Sequence, residues 1–399
     1  MTNKEALINP WPHYSDEEKE AVLEVLKSGK VNYWTGNNCS NFEESFANYT
    51  QNSYSIALAN GTLALESAYY SIGISDGDEI ITTPRTFIAT AMSIIKLRGK
   101  PIFADIDKDS GCITAKTIEP LINKKTKAIS VVHLAGWPAN MIEICDLAKS
   151  YNLFVIEDCA QAHGAKILVG QNYKSVGSFG DVNAWSFCQD KIMSTGGEGG
   201  MVTTNSKNIQ DYIWSLKDHG KAQSEVFKKT NKPGYRWVHK KIGSNYRMTE
   251  MQAAIGLIQL KNLDKWQKIR ERNANILIRE LSDLYLLSIP TPQSNLKHAW
   301  YKFYCYLNKN YLSDGWSREK ILSEIIKLGY QAMSGSCSEV YLEECMLNSQ
   351  LNCNKYNRLN NARLIGETSL MFVIHPTITE KQMYNYADSI RQVLIKAQK

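Results

Sequence analysis

A chain of 399 residues, 43% of them hydrophobic, exceeds what one core usually holds, which predicts two domains. Charged residues make up 22% and are well mixed, which excludes extended disorder. The formal net charge of +6 is mild for this size, and Lys and Arg form no block, so the chain suits anionic ligands and not nucleic acid.

The elements follow in chain order. Ser15-Asp16-Glu17-Glu18 is a capping box that opens a short helix, and Gly29 closes it. Tyr33-Trp34-Thr35-Gly36 is a loop with two aromatics, and a second helix carries Phe42, Phe46 and Tyr49. From Tyr54 to about Asn205, strands alternate with helical stretches; four strands fall at Glu79–Thr83, Lys127–Leu134, Leu153–Glu157 and Val182–Phe187. Their apolar residues occupy both parities, so the sheet is covered on both faces and mainly parallel. Thr249 caps a long helix toward Leu284, a candidate spine between the domains. Beyond it a smaller α+β domain is expected, with strands at Trp300–Leu307 and Ser369–His375 and helices at Glu319–Leu328 and Glu380–Ile395. The expected division is 1–265 and 266–399.

Several classes fall away. Nine cysteines, including the eight-residue series Cys337, Cys345 and Cys353, show no metal-ligand spacing and read as free buried thiols in a reducing cytosol. Met1–Pro10 lacks the apolar core of a signal peptide, and no apolar run nears the roughly 20 residues that span a bilayer. A cytoplasmic protein without membrane attachment is expected. Gly196-Gly197-Glu198-Gly199-Gly200 fails the dinucleotide fingerprint because Val202 stands where glycine belongs, and no phosphate-binding P-loop is present.

Four local features carry chemistry. Asn60-Gly61-Thr62 lies at a strand-to-helix turn, where backbone N–H groups make an anion site; an ordinary turn is the plainer reading. The hydrophobic strand Phe154-Val155-Ile156 ends in Glu157-Asp158, which sets Asp158 at the carboxyl edge of the sheet. A carboxylate there can hold a pyridine nitrogen protonated, whereas the plainer reading is a helix N-cap. The strand Val182–Phe187 leads to Lys191, and Schiff-base chemistry needs a lysine in a partly dry site. Ser186, five residues earlier, can donate to a phosphate. The polar loop Gly243-Ser244-Asn245-Tyr246-Arg247-Met248 precedes the long helix and suits a phosphate or carboxylate.

Taken in order, Asn60-Gly61-Thr62, Thr86-Phe87-Ile88-Ala89-Thr90, Glu157-Asp158-Cys159-Ala160-Gln161-Ala162-His163-Gly164, Ser186-Phe187 with Lys191, Gly197-Glu198-Gly199-Gly200 and Asn245-Tyr246-Arg247-Met248 resemble the DegT/StrS family of sugar aminotransferases. The resemblance covers nearly the whole chain. It implies the α/β fold of aspartate aminotransferase (fold type I), pyridoxal 5′-phosphate as cofactor, and a homodimer with shared active sites. It implies that Lys191 carries the cofactor, Asp158 pairs with the pyridine nitrogen, Gln161 sits near the ring hydroxyl and Phe87 stacks on the ring. Gly61, Thr62 and Ser186 would hold the phosphate, with Asn245 reaching it from the neighbouring subunit. Cys188 departs from the His, Asn or Tyr usual after Ser186-Phe187, and leaves the phosphate contacts less defined. The implied reaction moves an amino group from L-glutamate to a nucleotide-linked keto sugar, best matched by dTDP-4-keto-6-deoxyglucose, for surface polysaccharide. A 3-keto sugar, or a UDP- or GDP-linked one, is the nearest alternative. A non-catalytic regulatory protein of the same fold is a further one, against which Lys191, Asp158 and Gln161 speak. The loops around Tyr33-Trp34 and Trp237 with His239 would line a sugar pocket or a dimer interface.

Overall fold

The computed structural model describes residues 7–228, 234, 236–348 and 357–399. A seven-stranded sheet forms the centre, in the order Tyr54–Leu58, Gly200–Thr204, Val182–Ser186, Phe154–Asp158, Thr126–Val132, Glu79–Thr82, Lys100–Phe103. Four neighbouring pairs are parallel. Only Gly200–Thr204 runs against its two neighbours. The carboxyl ends of the other strands therefore lie along one edge, where loops can gather functional groups.

The continuous burial of these strands explains their unbroken apolar runs. Helix Gly61–Ser71 buries its middle against one face, through Ala64, Leu65 and Ala68 packed near Ile156 and Ala184. Phe42 and Phe46, from helix Asn38–Tyr49, enter the other face beside Trp185 and Phe187. The expected capping boxes form: Ser15 with Glu18 at helix Asp16–Ser28, and Thr249 with Gln252 at helix Glu250–Leu281. Gly29 ends the first helix in the left-handed conformation.

The 32-residue helix Glu250–Leu281 packs against both N-terminal helices and the final helix Glu380–Ala397. Its later part, Ala274, Ile276, Leu277 and Leu281, belongs to a second buried cluster. That cluster is built on the antiparallel strands Leu287–Ser288, Phe303–Leu307 and Ser369–Phe372. Strands Phe303–Leu307 and Ser369–Phe372 are shorter than the sequence suggests, because residues 300–302 and 373–375 run as irregular chain. A third small sheet joins the hairpin Lys166–Val169 and Asn172–Ser175 to Leu296–Lys297. Among the described residues no helix is long and apolar enough to cross a membrane.

The thiols are less uniformly buried than expected. Cys337 and Cys345 are exposed and Cys145 and Cys188 half-buried, while Cys353 lies outside the described residues.

Candidate active site

Asn60 caps helix Gly61–Ser71 by accepting from the Leu63 N–H at 3.0 Å. This leaves the first N–H groups of the helix beside Ser186, the last residue of its strand. The approach is so close that a Cβ on Gly61 would lie 2.5 Å from the Ser186 Cβ. A Cβ on Gly200 would strike the Asn60 carbonyl. Thr62 is exposed at the same helix start, and the Ser186 hydroxyl accepts from the Cys188 N–H at 3.3 Å. A helix N-terminus, a hydroxyl and two glycines thus form a cradle for an anion.

Asp158 is 4% exposed. No helix follows it; the chain turns through residues 159–165 into the next strand, so the helix-cap reading of Asp158 fails. Its carboxylate accepts from Thr90 Oγ1 at 2.8 Å and from the Ala160 N–H at 3.2 Å. Because Thr90 gives its proton to Asp158, the 2.9 Å contact between Thr86 and Thr90 hydroxyls has Thr86 as donor. Burial pushes the Asp158 carboxyl above its ordinary range, against the pull of Thr90, Ala160 and the charge of Lys191. A positively charged ring nitrogen would reverse that balance and stabilise the carboxylate.

Adjacent residues on a strand face opposite ways, so Glu157 points away from this site. It accepts from the N–H groups of Gly177, Phe179 and Gly180 at 2.7–2.8 Å. The Ala139 N–H donates to His133 Nδ1, so His133 Nε2 carries the proton and donates to Glu157 at 2.9 Å. His133, Glu157 and Cys159 cluster within 4.8 Å, yet the first two are spent on these bonds, and burial holds the thiol protonated. The group is a knot behind the site.

Lys191 follows the tight turn after Ser186. Its Nζ lies 3.9 Å from Asp190 and 5.1 Å from the centre of the Tyr301 ring. The Tyr301 hydroxyl donates to Asp190. Behind the turn, Gly199 and Gly197 carbonyls accept from the Phe187 and Gln189 N–H groups. Trp11, from the N-terminal segment, donates its indole N–H to the Lys191 carbonyl at 2.9 Å. Gln161 accepts from the Ala135 N–H at 2.7 Å through Oε1. Phe87 is 67% exposed beside the Asp158–Thr90 contact. Asn245 is also exposed, on a loop held to Ala59 and Asp218. Trp34 packs against Trp214 and Phe227, and Tyr33 donates to Glu43. Trp237 is 83% exposed.

Thr90, Tyr301 and Trp11 carry no sequence signal for these contacts beyond Thr90's place in the quoted motif. The other two act from 111 and 180 residues away.

The cradle would suit a phosphate and the buried acid a protonated ring nitrogen. The exposed aromatic would suit a ring face and the lysine a carbonyl carbon, so these residues fit pyridoxal phosphate. Few other chemistries call for an amine and a desolvated acid at one sheet edge. The class so defined is the pyridoxal-phosphate-dependent transaminases of fold type I.

The chain belongs to the DegT/DnrJ/EryC1/StrS aminotransferase family, whose sequence profile matches residues 12–391. It is similar to an aminotransferase of known structure from Psychrobacter cryohalolentis (45% identity, TM-score 0.94, 98% of this chain and 99% of that one). It is 41% identical to the GDP-perosamine synthase of Escherichia coli O157:H7 over 273 residues, 68% of this chain and 71% of the relative. It is 32% identical to the UDP-N-acetyl-3-dehydro-alpha-D-glucosamine 3-aminotransferase of Acidithiobacillus ferrooxidans over 95% of this chain and 94% of the relative.

Proposed function

We propose that this transaminase moves an amino group from L-glutamate to the keto group of a nucleotide-linked deoxysugar, as a cytoplasmic homodimer that serves surface-polysaccharide synthesis. The acceptor best matched by the sequence is dTDP-4-keto-6-deoxyglucose. A GDP-linked or a 3-keto UDP-linked sugar is the second reading, favoured by the names of the two relatives above. The observation that supports the reading most is the lysine turn, with Lys191 Nζ facing Asp190 and Tyr301 while the buried Asp158 stands at the neighbouring strand end.

When bound, pyridoxal phosphate supplies an electron sink next to the reacting carbon. The chain's residues do the rest. Gly61, Thr62 and Ser186 hold the phosphate, joined by Asn245 of the neighbouring protomer. Asp158, steadied by Thr90, keeps the ring nitrogen protonated. Gln161 turns its NH₂ to the ring hydroxyl, and Phe87 covers the ring face. Lys191 Nζ first anchors the cofactor. Once displaced, it takes the α-proton of the amino donor and later delivers a proton to the former keto carbon of the sugar.

The test is a pair of half-reactions followed by visible absorbance. L-Glutamate should remove the band of lysine-bound cofactor, and the correct keto sugar should restore it with formation of an amino sugar by mass. Acceptors carrying dTDP, GDP and UDP are offered in turn, and the nucleotide is assigned by which restores the band. Lys191→Ala should fold normally and show no turnover; retained activity would sink the mechanism.

A further inference from the structure

Lys302 follows Tyr301 on the segment that enters strand Phe303–Leu307. Its ammonium lies 4.9 Å from the centre of the Tyr301 ring, the same ring that Lys191 Nζ approaches at 5.1 Å. Both ammonium groups therefore lie within about 5 Å of one aromatic ring. A third cation stands behind them. Arg270, buried on helix Glu250–Leu281, donates from one guanidinium nitrogen to the carbonyls of Trp300 and Tyr301, both at 3.2 Å. The carboxylate of this cluster, Asp190, is committed to Tyr301 and Lys191.

Among the described residues Lys302 forms no hydrogen bond and no ion pair; the ring is its one contact of that kind. Burial, with the charges of Arg270 and Lys191, pushes its amine down to about 8, against the pull of Asp190. A half-buried cation without a counter-ion is costly, and an anion that enters the site removes that cost.

We infer that Lys302 is the anchor for a carboxylate of the amino donor, and that Arg270 is a positioning residue that fixes the backbone before it. The inference rests on the transaminase reading. The donor must bring its amine to the place of Lys191, and its carboxylates travel with it to the neighbouring cation. The keto-acid product keeps both carboxylates, so one anchor serves entry and exit. A lysine suits the task as a compact charge with three donors. An acidic keto sugar is the other source of a carboxylate, and the two half-reactions tell them apart.

The test uses holoenzyme as wild type, Lys302→Gln and Lys302→Arg. L-Glutamate is titrated by the loss of the lysine-bound cofactor band. Glutarate, which carries two carboxylates and no amine, is titrated by calorimetry. Lys302→Gln should raise the half-saturating L-glutamate and the glutarate Kd at least about tenfold, while the saturating rate falls less than about threefold. Lys302→Arg should recover most of the binding, and the sugar half-reaction should be unchanged. A glutarate Kd within about twofold of wild type in Lys302→Gln overturns the inference, as does a wild type that binds no glutarate. A defect confined to the sugar half-reaction also overturns it, and assigns the carboxylate to an acidic sugar. A wild type that binds glutarate but is not converted by L-glutamate breaks the donor reading, and the glutarate comparison still decides the anchor.

Discussion

Gly61 has no room for a side chain. Its backbone lies so near Ser186 that a methyl group would stand 2.5 Å from the serine Cβ and 2.8 Å from Oγ, well inside contact distance. The need here is space, not an unusual backbone angle. Gly61→Ala must push the helix start away from the strand end and widen the cradle. We expect it to weaken cofactor binding at least about tenfold while the circular dichroism stays native. Equilibrium titration of the apo-protein with pyridoxal phosphate measures this. An unchanged affinity would mean that the phosphate is held elsewhere. The neighbouring Asp158 shows the other side of residue-scale design. Its burial disfavours the charged form, and Thr90 and Ala160 offset part of that cost before any cofactor arrives.

At the scale of elements, strand Phe154–Asp158 serves two faces with two consecutive acids. Asp158 faces the site, and Glu157 ties the strand to the turn at residues 177–180 and to His133. Burial alone would raise the Glu157 carboxyl. The hydrogen bond from His133 and those from Gly180 and Gly177 outweigh it, and the group lies below its ordinary 4.5. A depressed carboxyl contributes its stability in full above the unfolded value and loses it as pH falls through the folded one. Glu157→Gln sets an amide NH₂ against N–H donors and should cost about 3–5 kcal/mol at pH 7 by urea unfolding. The gap between variant and wild type should narrow as pH drops below 4.5. A gap that stays flat there would show that Glu157 is not ionised in the fold. Four strands of the central sheet and the capped helices were legible because their signals are local: Ser15 with Glu18, Thr249 with Gln252, and β-branched runs with apolar residues on both parities; the strands Tyr54–Leu58 and Lys100–Phe103 were not named. Gly200–Thr204 was not read as a strand, although it completes the sheet between two others, because its pairing depends on residues far away in sequence. The candidate site residues were named through the ordered family motifs, since each local feature alone has a plainer reading. Tyr301 and Lys302 were not, since they arrive from the C-terminal segment through tertiary packing and carry no motif of their own.

At the scale of the whole molecule, one long helix is shared by two buried clusters. Arg270 and Asn273 on it bond to the backbone at 300–301 and 374–375. We propose that 1–265 and 266–399 act as two domains that meet within this helix, with the lysine turn at their junction. Trp237 and Ile242 are exposed in the protomer, and in the proposed homodimer a second copy would cover them. The proposed homodimer predicts about 90 kDa by light scattering, twice the 45.2 kDa chain. It also predicts complementation. Lys191→Ala mixed with Asn245→Asp should regain activity, because one hybrid site then holds both native residues. No recovery would place Asn245 in its own protomer's site. The N-terminal segment belongs to this whole-molecule picture too. Asn9 bonds to Thr377, Trp11 packs on Trp266 and His375, and its indole N–H ends on the Lys191 carbonyl. The family profile begins at residue 12, one position after that tryptophan. Whatever is fused ahead of Trp11 is, in mechanical terms, a handle attached to the reactive lysine.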